Sequence, residues 1–131
     1  MLDARAISIA IACPYERAYA FAHVPENFAS WAAGLSNGLR CVDGAWRGDT
    51  PAGEAIMRFS PRNDHGVLDH HVLLPGRPEI YIPLRMIANG AGTEVVFTLF
   101  RQPGMDDAAW EADEQLVRRD LETLRTLLEK G

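Results

Sequence analysis

The chain has 131 residues, of which 47% are hydrophobic and 24% are charged, as is usual for one globular domain. Its formal net charge of −5 argues against a nucleic-acid partner, because duplex-binding proteins neutralise phosphates with clustered Lys and Arg. Two cysteines, Cys13 and Cys41, form one pair at most, which excludes a disulfide scaffold and a cysteine-rich zinc site. We therefore expect a single domain over residues 1–131.

The first predicted element is a strand. Ile7, Ile9 and Ile11 alternate with small residues, which is the period of a half-buried strand. The apolar run over 6–13 could also pass for a short signal segment, but it has only eight residues and follows Asp3. No run approaches the roughly 20 apolar residues that a membrane span needs. The sequence predicts a cytoplasmic protein without a membrane span.

Two short helices follow this strand. Pro14 suits the first turn of a helix over residues 15–23. Pro25 begins a second helical piece over 25–35, in which Phe28, Trp31 and Leu35 recur at helix spacing.

Turn signals then become frequent and separate short runs. DG at 43–44 and NGAG at 89–92 are examples of such signals. The runs predict the strands of an antiparallel meander; they cover residues 37–42, 54–59, 67–74, 79–88 and 93–101. With the first strand, the sheet has about six to seven strands.

The last element is a long helix. Asp106 can cap a helix that runs to about Glu129. An antiparallel sheet that curves around one long helix is an α+β design of two layers, and it can leave a cavity between them. Alternation along the strands and the helical period then select the side chains that face this interior. They include Met57, Phe59, His70, Ile82, Leu84, Met86, Phe97, Leu99, Arg101, Trp110, Asp113, Val117 and Asp120.

The chain resembles the START and birch-pollen-allergen-like (SRPBCC) superfamily, which includes polyketide cyclase/dehydrase proteins. The element order carries the resemblance over nearly the whole chain, together with four stretches of sequence. They are CPYERAYAFAHVPENFASWAAGL at 13–35, GVLDHHV at 66–72, IPLRMIANGAGTEVVFTLFRQPGM at 82–105 and D-x6-DL-x2-L-x2-LLE from Asp113. The resemblance implies a helix-grip fold with a hydrophobic cavity, but it does not name a reaction.

The leading hypothesis is that the cavity binds a small hydrophobic or aromatic metabolite. The candidate ligand-binding residues are Trp31, Met57, Phe59, His70, Ile82, Leu84, Met86, Phe97, Leu99, Arg101, Trp110, Asp113 and Val117. One alternative is a cofactor-free polyketide cyclase or dehydratase, with His70 as acid or base and Asp113 as a further catalytic candidate. Another is a protein-interaction module with a filled core. We expect no cofactor, and a monomer or a homodimer.

The polar candidates each have a structural interpretation as well. His70 could be a core histidine bonded to backbone or to Asp113, and Arg101 could pair with Asp113 or Asp120 instead of a ligand. Asp69 and His71 point to the face opposite His70 and are most simply solvated. No metal site is expected, because zinc needs three or four convergent ligands.

Overall fold

The structure, a computed structural model, describes residues 1–131 and contains eight strands and three helices. In chain order the elements are β1 (Ala4–Ile11), α1 (Tyr15–Ala22), α2 (Pro25–Phe28), β2 (Leu39–Val42), β3 (Ala45–Thr50), β4 (Gly53–Phe59), β5 (His70–Leu73), β6 (Ile80–Ile82), β7 (Leu84–Asn89), β8 (Gly92–Phe100) and α3 (Asp107–Lys130). The predicted α+β helix-grip fold is confirmed.

The strands form two antiparallel sheets. β1, β8 and β7 make a three-stranded sheet in that order, and β2 to β6 make a five-stranded meander. The run predicted as one strand over 79–88 is divided at Pro83, which has no N–H to donate to a ladder. β6 and β7 therefore belong to different sheets, and the two sheets meet at this proline.

The hairpin of β2 and β3 adds a strand that the sequence analysis did not predict. Asp43 and Gly44 both have positive φ, 52° and 79°, and Val42 pairs with Ala45 across them. Two positive-φ residues in a two-residue loop fit a type I′ turn, for which Asp-Gly is a favoured sequence. β3 then continues to Thr50, through residues that lie outside all of the predicted runs.

Gly66 lies where two backbone segments approach each other. The Met86 N–H donates to the Gly66 carbonyl over 2.9 Å. Gly66 has φ of +68°, and a Cβ atom there would lie 2.1 Å from the Met86 carbonyl oxygen. Only glycine fits this contact, which fastens the loop before β5 to β7.

Helix α3 lies along the three-stranded sheet. Asp106 caps it by accepting a hydrogen bond from the Ala109 N–H over 2.8 Å, as predicted. Its 24 residues give a length of about 36 Å. Its buried apolar side chains join those of β1, β7 and β8 in one core cluster, which includes Ile7, Ile11, Leu84, Met86, Val95, Phe97, Leu99, Trp110, Val117, Leu121, Leu124 and Leu128.

The predicted second helix is shorter in the structure. α2 ends at Phe28, and two turns follow in which the N–H groups of Trp31 and Ala32 donate to the Phe28 carbonyl over 3.2 and 2.9 Å. Trp31 and Ala32 are nevertheless buried. The segment from Phe28 to Leu35 thus turns inward and becomes part of the candidate site.

Candidate functional site

A cavity of about 570 Å³ is bordered by α3, the inner face of the five-stranded sheet, part of β8 and the segment from Phe28 to Leu35. Its lining is mainly hydrophobic. The sheets contribute Ala55, Met57, His70, Val72, Ile80, Ile82, Phe97 and Leu99, and α3 contributes Asp113, Leu116, Val117, Arg119 and Asp120. Strand alternation brings the first group together, because every second side chain points to the inner face.

The structure brings eight of the predicted ligand-binding residues together around this cavity. They are Trp31, Met57, His70, Ile82, Phe97, Leu99, Asp113 and Val117. They come from α3, from the segment after α2 and from strands of both sheets, so only the folded chain unites them.

Three of the other predicted residues lie beside the cavity instead of lining it. Leu84 and Met86 are buried in the core cluster, because β7 belongs to the sheet that α3 covers. Phe59 lies behind the cavity, where its ring centroid is 5.4 Å from that of Phe28 and 5.7 Å from that of His70.

Arg101 and Trp110 also lie outside the lining. Arg101 donates from Nε and Nη2 to the Met105 carbonyl over 3.0 and 2.8 Å, and it pairs with Asp107 over 3.0 Å. It pairs with neither Asp113 nor Asp120, since the nearby loop and the start of α3 already supply its acceptors. Trp110 is buried in the core cluster with the Arg5 guanidinium 4.7 Å above its ring.

Several lining residues were not predicted from the sequence. Phe28 and Leu35 were predicted only as helix residues, and Tyr81 is not among the residues predicted to face the interior. Tyr81 is 40% exposed and lies at the edge of the cavity. Helix periodicity does mark Phe28, but the sequence does not show that the segment after α2 folds over the sheet.

His70 is the most buried polar side chain of the cavity, with 2% of its surface exposed. Its Nδ1 lies 3.0 Å from the Leu68 carbonyl oxygen. A carbonyl can only accept, so the neutral ring carries its proton on Nδ1 and leaves Nε2 as a free acceptor. Burial lowers the pKa of His70, which favours this neutral form. Its partner is thus backbone and not Asp113.

Trp31 supplies the complementary polar atom. It is 3% exposed and lines the cavity, and its indole Nε1–H has no hydrogen-bond acceptor in the protein. Its ring centroid lies 4.9 Å from that of Phe28, and the His70 centroid lies 5.3 Å from the same ring. Trp31 and His70 thus both line the cavity and both pack against Phe28.

Two carboxylates of α3 face the cavity from the other side, as the helical period predicts. The Asp120 carboxylate accepts a hydrogen bond from the Ala33 N–H over 3.1 Å, which ties α3 to the segment after α2. Asp113 has no hydrogen-bond donor or ion-pair partner, and desolvation raises its pKa. Desolvation also raises the pKa of Asp120, against the effect of the Ala33 N–H.

No protein-family model matches the sequence, and no curated protein matches it. Solved structures share its fold. Ara h 8.0201 superposes with a TM-score of 0.75 at 9% identity and full coverage of both chains. A START superfamily protein from Mycobacterium smegmatis gives a TM-score of 0.76 at 10% identity, with 97% of each chain covered. DynU16, from the dynemicin biosynthetic locus, gives 0.73 at 16% identity, with 98% of this chain and 48% of that chain covered. The chain has an SRPBCC-type helix-grip fold. No helix is both long and apolar enough to cross a membrane.

Outside the cavity of this SRPBCC-type fold, Asp69 has a structural role that the sequence analysis missed. Its carboxylate accepts from Tyr81 Oη and the Leu84 N–H, each over 2.9 Å, and from Arg85 Nε and Nη2, each over 2.8 Å. Arg85 is the main cause that lowers the pKa of Asp69 to about 2. Asp69 thereby fixes the junction of β6 and β7.

His71 lies on the same face as Asp69 and contacts Glu79 and Tyr81 there. His71 Nδ1 lies 3.3 Å from a Glu79 oxygen, and its ring stacks on Tyr81 with centroids 4.9 Å apart. No group of three or more His, Cys, Asp or Glu side chains is placed to hold a metal ion. The polar groups of the cavity thus include a buried imidazole, an indole N–H and two carboxyl groups with raised pKa, together with the side chains of Tyr81, Gln102 and Arg119.

Proposed function

We propose that the protein binds a small hydrophobic or aromatic molecule in the cavity between α3 and the five-stranded sheet. The observation that carries the proposal is the cavity itself, which has a volume of about 570 Å³ and a mainly hydrophobic lining. Binding sites for small organic molecules commonly measure about 300–1,000 Å³, with apolar walls and a few polar groups that orient the ligand.

The packing of the sheets explains why a cavity remains here. Ala55 and Met57 are buried, yet they do not belong to the core cluster that α3 forms with the three-stranded sheet. The inner face of β4 is thus shielded from water without being packed against the helix. This arrangement disfavours the alternative of an interaction module with a filled core. The SRPBCC-type fold supports the proposal, because the resemblance implies a hydrophobic cavity.

A neutral fluorescent probe, N-phenyl-1-naphthylamine, tests the proposal. We expect its emission to rise on binding to the wild-type protein. Val117→Phe adds a ring to a residue that lines the cavity, and we expect it to weaken probe binding at least tenfold. Val42→Phe makes the same change on an exposed residue of β2 and is expected to leave binding unchanged.

Two outcomes would contradict this proposal. One is the absence of probe binding by a wild-type protein that melts cooperatively. The other is equal weakening by both substitutions, which would place the probe outside the cavity. Native mass spectrometry of the purified protein gives an independent readout, as it would detect a small molecule that co-purifies.

A second candidate function is cofactor-free acid-base catalysis of the cyclase or dehydratase type. The observation that favours it is the His70 ring, which presents an unpaired Nε2 in a cavity and has a lowered pKa. In this scheme Asp113, whose pKa is raised, is the candidate acid. Once a ligand that reacts is known, His70→Ala should reduce turnover by far more than it weakens binding. Unchanged turnover would eliminate the catalytic function.

A further inference from the structure

Two ring nitrogens on residues that line the cavity have no hydrogen-bond partner in the protein. They are Trp31 Nε1, which is itself buried, and His70 Nε2, on a ring that is hydrogen-bonded only through Nδ1. Buried polar groups in folded proteins almost always have a hydrogen-bond partner, so the unpaired Trp31 N–H requires an explanation. Both rings pack against Phe28, which keeps them in one aromatic cluster.

The two atoms are complementary in chemistry. An indole N–H donates and cannot accept, whereas the Nε2 of a neutral histidine accepts and cannot donate. The Leu68 carbonyl keeps the proton on Nδ1, so Nε2 remains the acceptor. A group that pairs with both atoms must therefore donate one hydrogen bond and accept another.

We propose that Trp31 Nε1 and His70 Nε2 together bind one hydroxyl group of the ligand. The hydroxyl donates its hydrogen to His70 Nε2 and accepts a hydrogen bond from the Trp31 N–H. The ligand class is then a neutral phenol or alcohol that enters with its hydroxyl end toward Phe28. This inference rests on the proposed function, because it specifies which molecules that cavity takes.

Other polar groups fit this end less well. A carboxylate accepts from Trp31 but has no hydrogen to donate to His70. An ammonium group donates to His70 but cannot accept a hydrogen bond from the Trp31 N–H. The carboxyl groups of the cavity, Asp113 and Asp120, stand on α3 and not in the aromatic cluster. A smaller void of about 10 Å³ also borders both rings, and a water molecule there is the competing occupant.

Three naphthalenes of nearly equal size test the inference by displacement of N-phenyl-1-naphthylamine from the wild-type protein. 2-Naphthol both donates and accepts, 2-methoxynaphthalene only accepts, and 2-methylnaphthalene does neither. We expect 2-naphthol to bind at least tenfold more tightly than 2-methylnaphthalene, with 2-methoxynaphthalene clearly weaker than 2-naphthol.

Single substitutions then assign the preference to the two atoms. His70→Phe and Trp31→Phe each remove one partner, and we expect each to reduce the ratio of 2-naphthol to 2-methylnaphthalene affinity at least fivefold. The matched controls are His71→Phe and Trp46→Phe, which replace a histidine and a tryptophan that do not line the cavity. They are expected to keep the wild-type ratio.

The outcomes separate this inference from the proposed function. If 2-methylnaphthalene binds as tightly as 2-naphthol, the cavity binds apolar molecules but the hydroxyl site is refuted. This result is expected if a water molecule pairs with both nitrogens. A preference that survives both substitutions would also refute it. If no naphthalene displaces the probe and the probe itself does not bind, the proposed function fails and this inference fails with it. The wild-type comparison decides the matter even if a variant does not fold.

Discussion

Replacing Asp69 with Asn removes the charge from a carboxylate that accepts four hydrogen bonds at the junction of the two sheets. Two of these bonds come from the Arg85 guanidinium, each over 2.8 Å. The Asp69 side chain is 15% exposed and that of Arg85 is 48% exposed, so solvent weakens the pair without abolishing it. The Leu84 N–H can still donate to an amide oxygen, and the loss is therefore limited to the charge and one or two bonds.

The expected loss in the free energy of unfolding follows from these contacts. Hydrogen bonds to a charged group contribute about 1.5–3 kcal/mol each when well formed, and exposure of Arg85 reduces that value. We expect Asp69→Asn to lower the free energy of unfolding by about 1.5–3 kcal/mol. For a chain of this length, that corresponds to a fall in Tm of roughly 5–12 °C. Urea unfolding followed by circular dichroism measures the difference.

The pH dependence provides the sharper test. The pKa of Asp69 is lowered to about 2 from an ordinary value of 3.8. A lowered pKa in the folded state means that the stabilisation is fully present above the unfolded pKa and is lost as pH falls from about 4 to 2. The difference in stability between wild type and Asp69→Asn should shrink over that range.

A double-mutant cycle with Arg85→Met assigns the effect to the pair. The two substitutions together should cost clearly less than the sum of their separate costs. Additive costs, or a difference from wild type that does not change between pH 5 and pH 2, would refute this account of Asp69.

Two further predictions concern backbone geometry and the charge in the cavity. Gly66→Ala should destabilise the fold by about 2 kcal/mol or more, because the new Cβ would meet the Met86 carbonyl. Gly76→Ala is the control: Gly76 has φ of +69° and open space around it, so thermal melts of this variant should show only the conformational cost of about 1 kcal/mol. Equal costs would contradict the steric argument. Asp113→Asn should raise stability at pH 7 by less than about 1 kcal/mol, because it removes a desolvated charge whose pKa is raised. The gain should shrink as pH falls through the raised pKa of Asp113 and vanish below the ordinary value of 3.8, where the carboxyl is protonated in both states; the exposed control Asp64→Asn should show no such gain.

Local patterns in the sequence determined most of the element order and many of the inward faces, although they missed β3 and the division of β6 from β7. The alternation of β1 and β8, the Asp106 cap and the helical spacing of Asp113 and Val117 all agree with the structure, because each depends on residues close together in the chain. Seven of the eight predicted residues at the cavity were predictable for the same reason, since each lies on the inner face of its own strand or helix; Trp31 lies in the segment after α2.

Only the tertiary structure decided which elements are covered by α3 and which border empty space. Leu84 and Met86 have the same alternation as Ile82, but Pro83 places them in the sheet that the helix covers, so they fill the core while Ile82 lines the cavity. From the sequence, Arg101 could pair with Asp113 or Asp120. In the structure, the path of the chain after β8 instead places Asp107 and the Met105 carbonyl beside it.

The net charge of the chain is also unevenly distributed. Residues 106–130 contain eight acidic and four basic side chains, so this segment carries most of the net charge of −5. Composition alone treats those carboxylates alike. The fold places Asp113 and Asp120 against a cavity, where desolvation raises their pKa, and leaves Asp107 at the surface with Arg101. Desolvation depends on neighbours that are distant in sequence, which is why only the folded structure determines it.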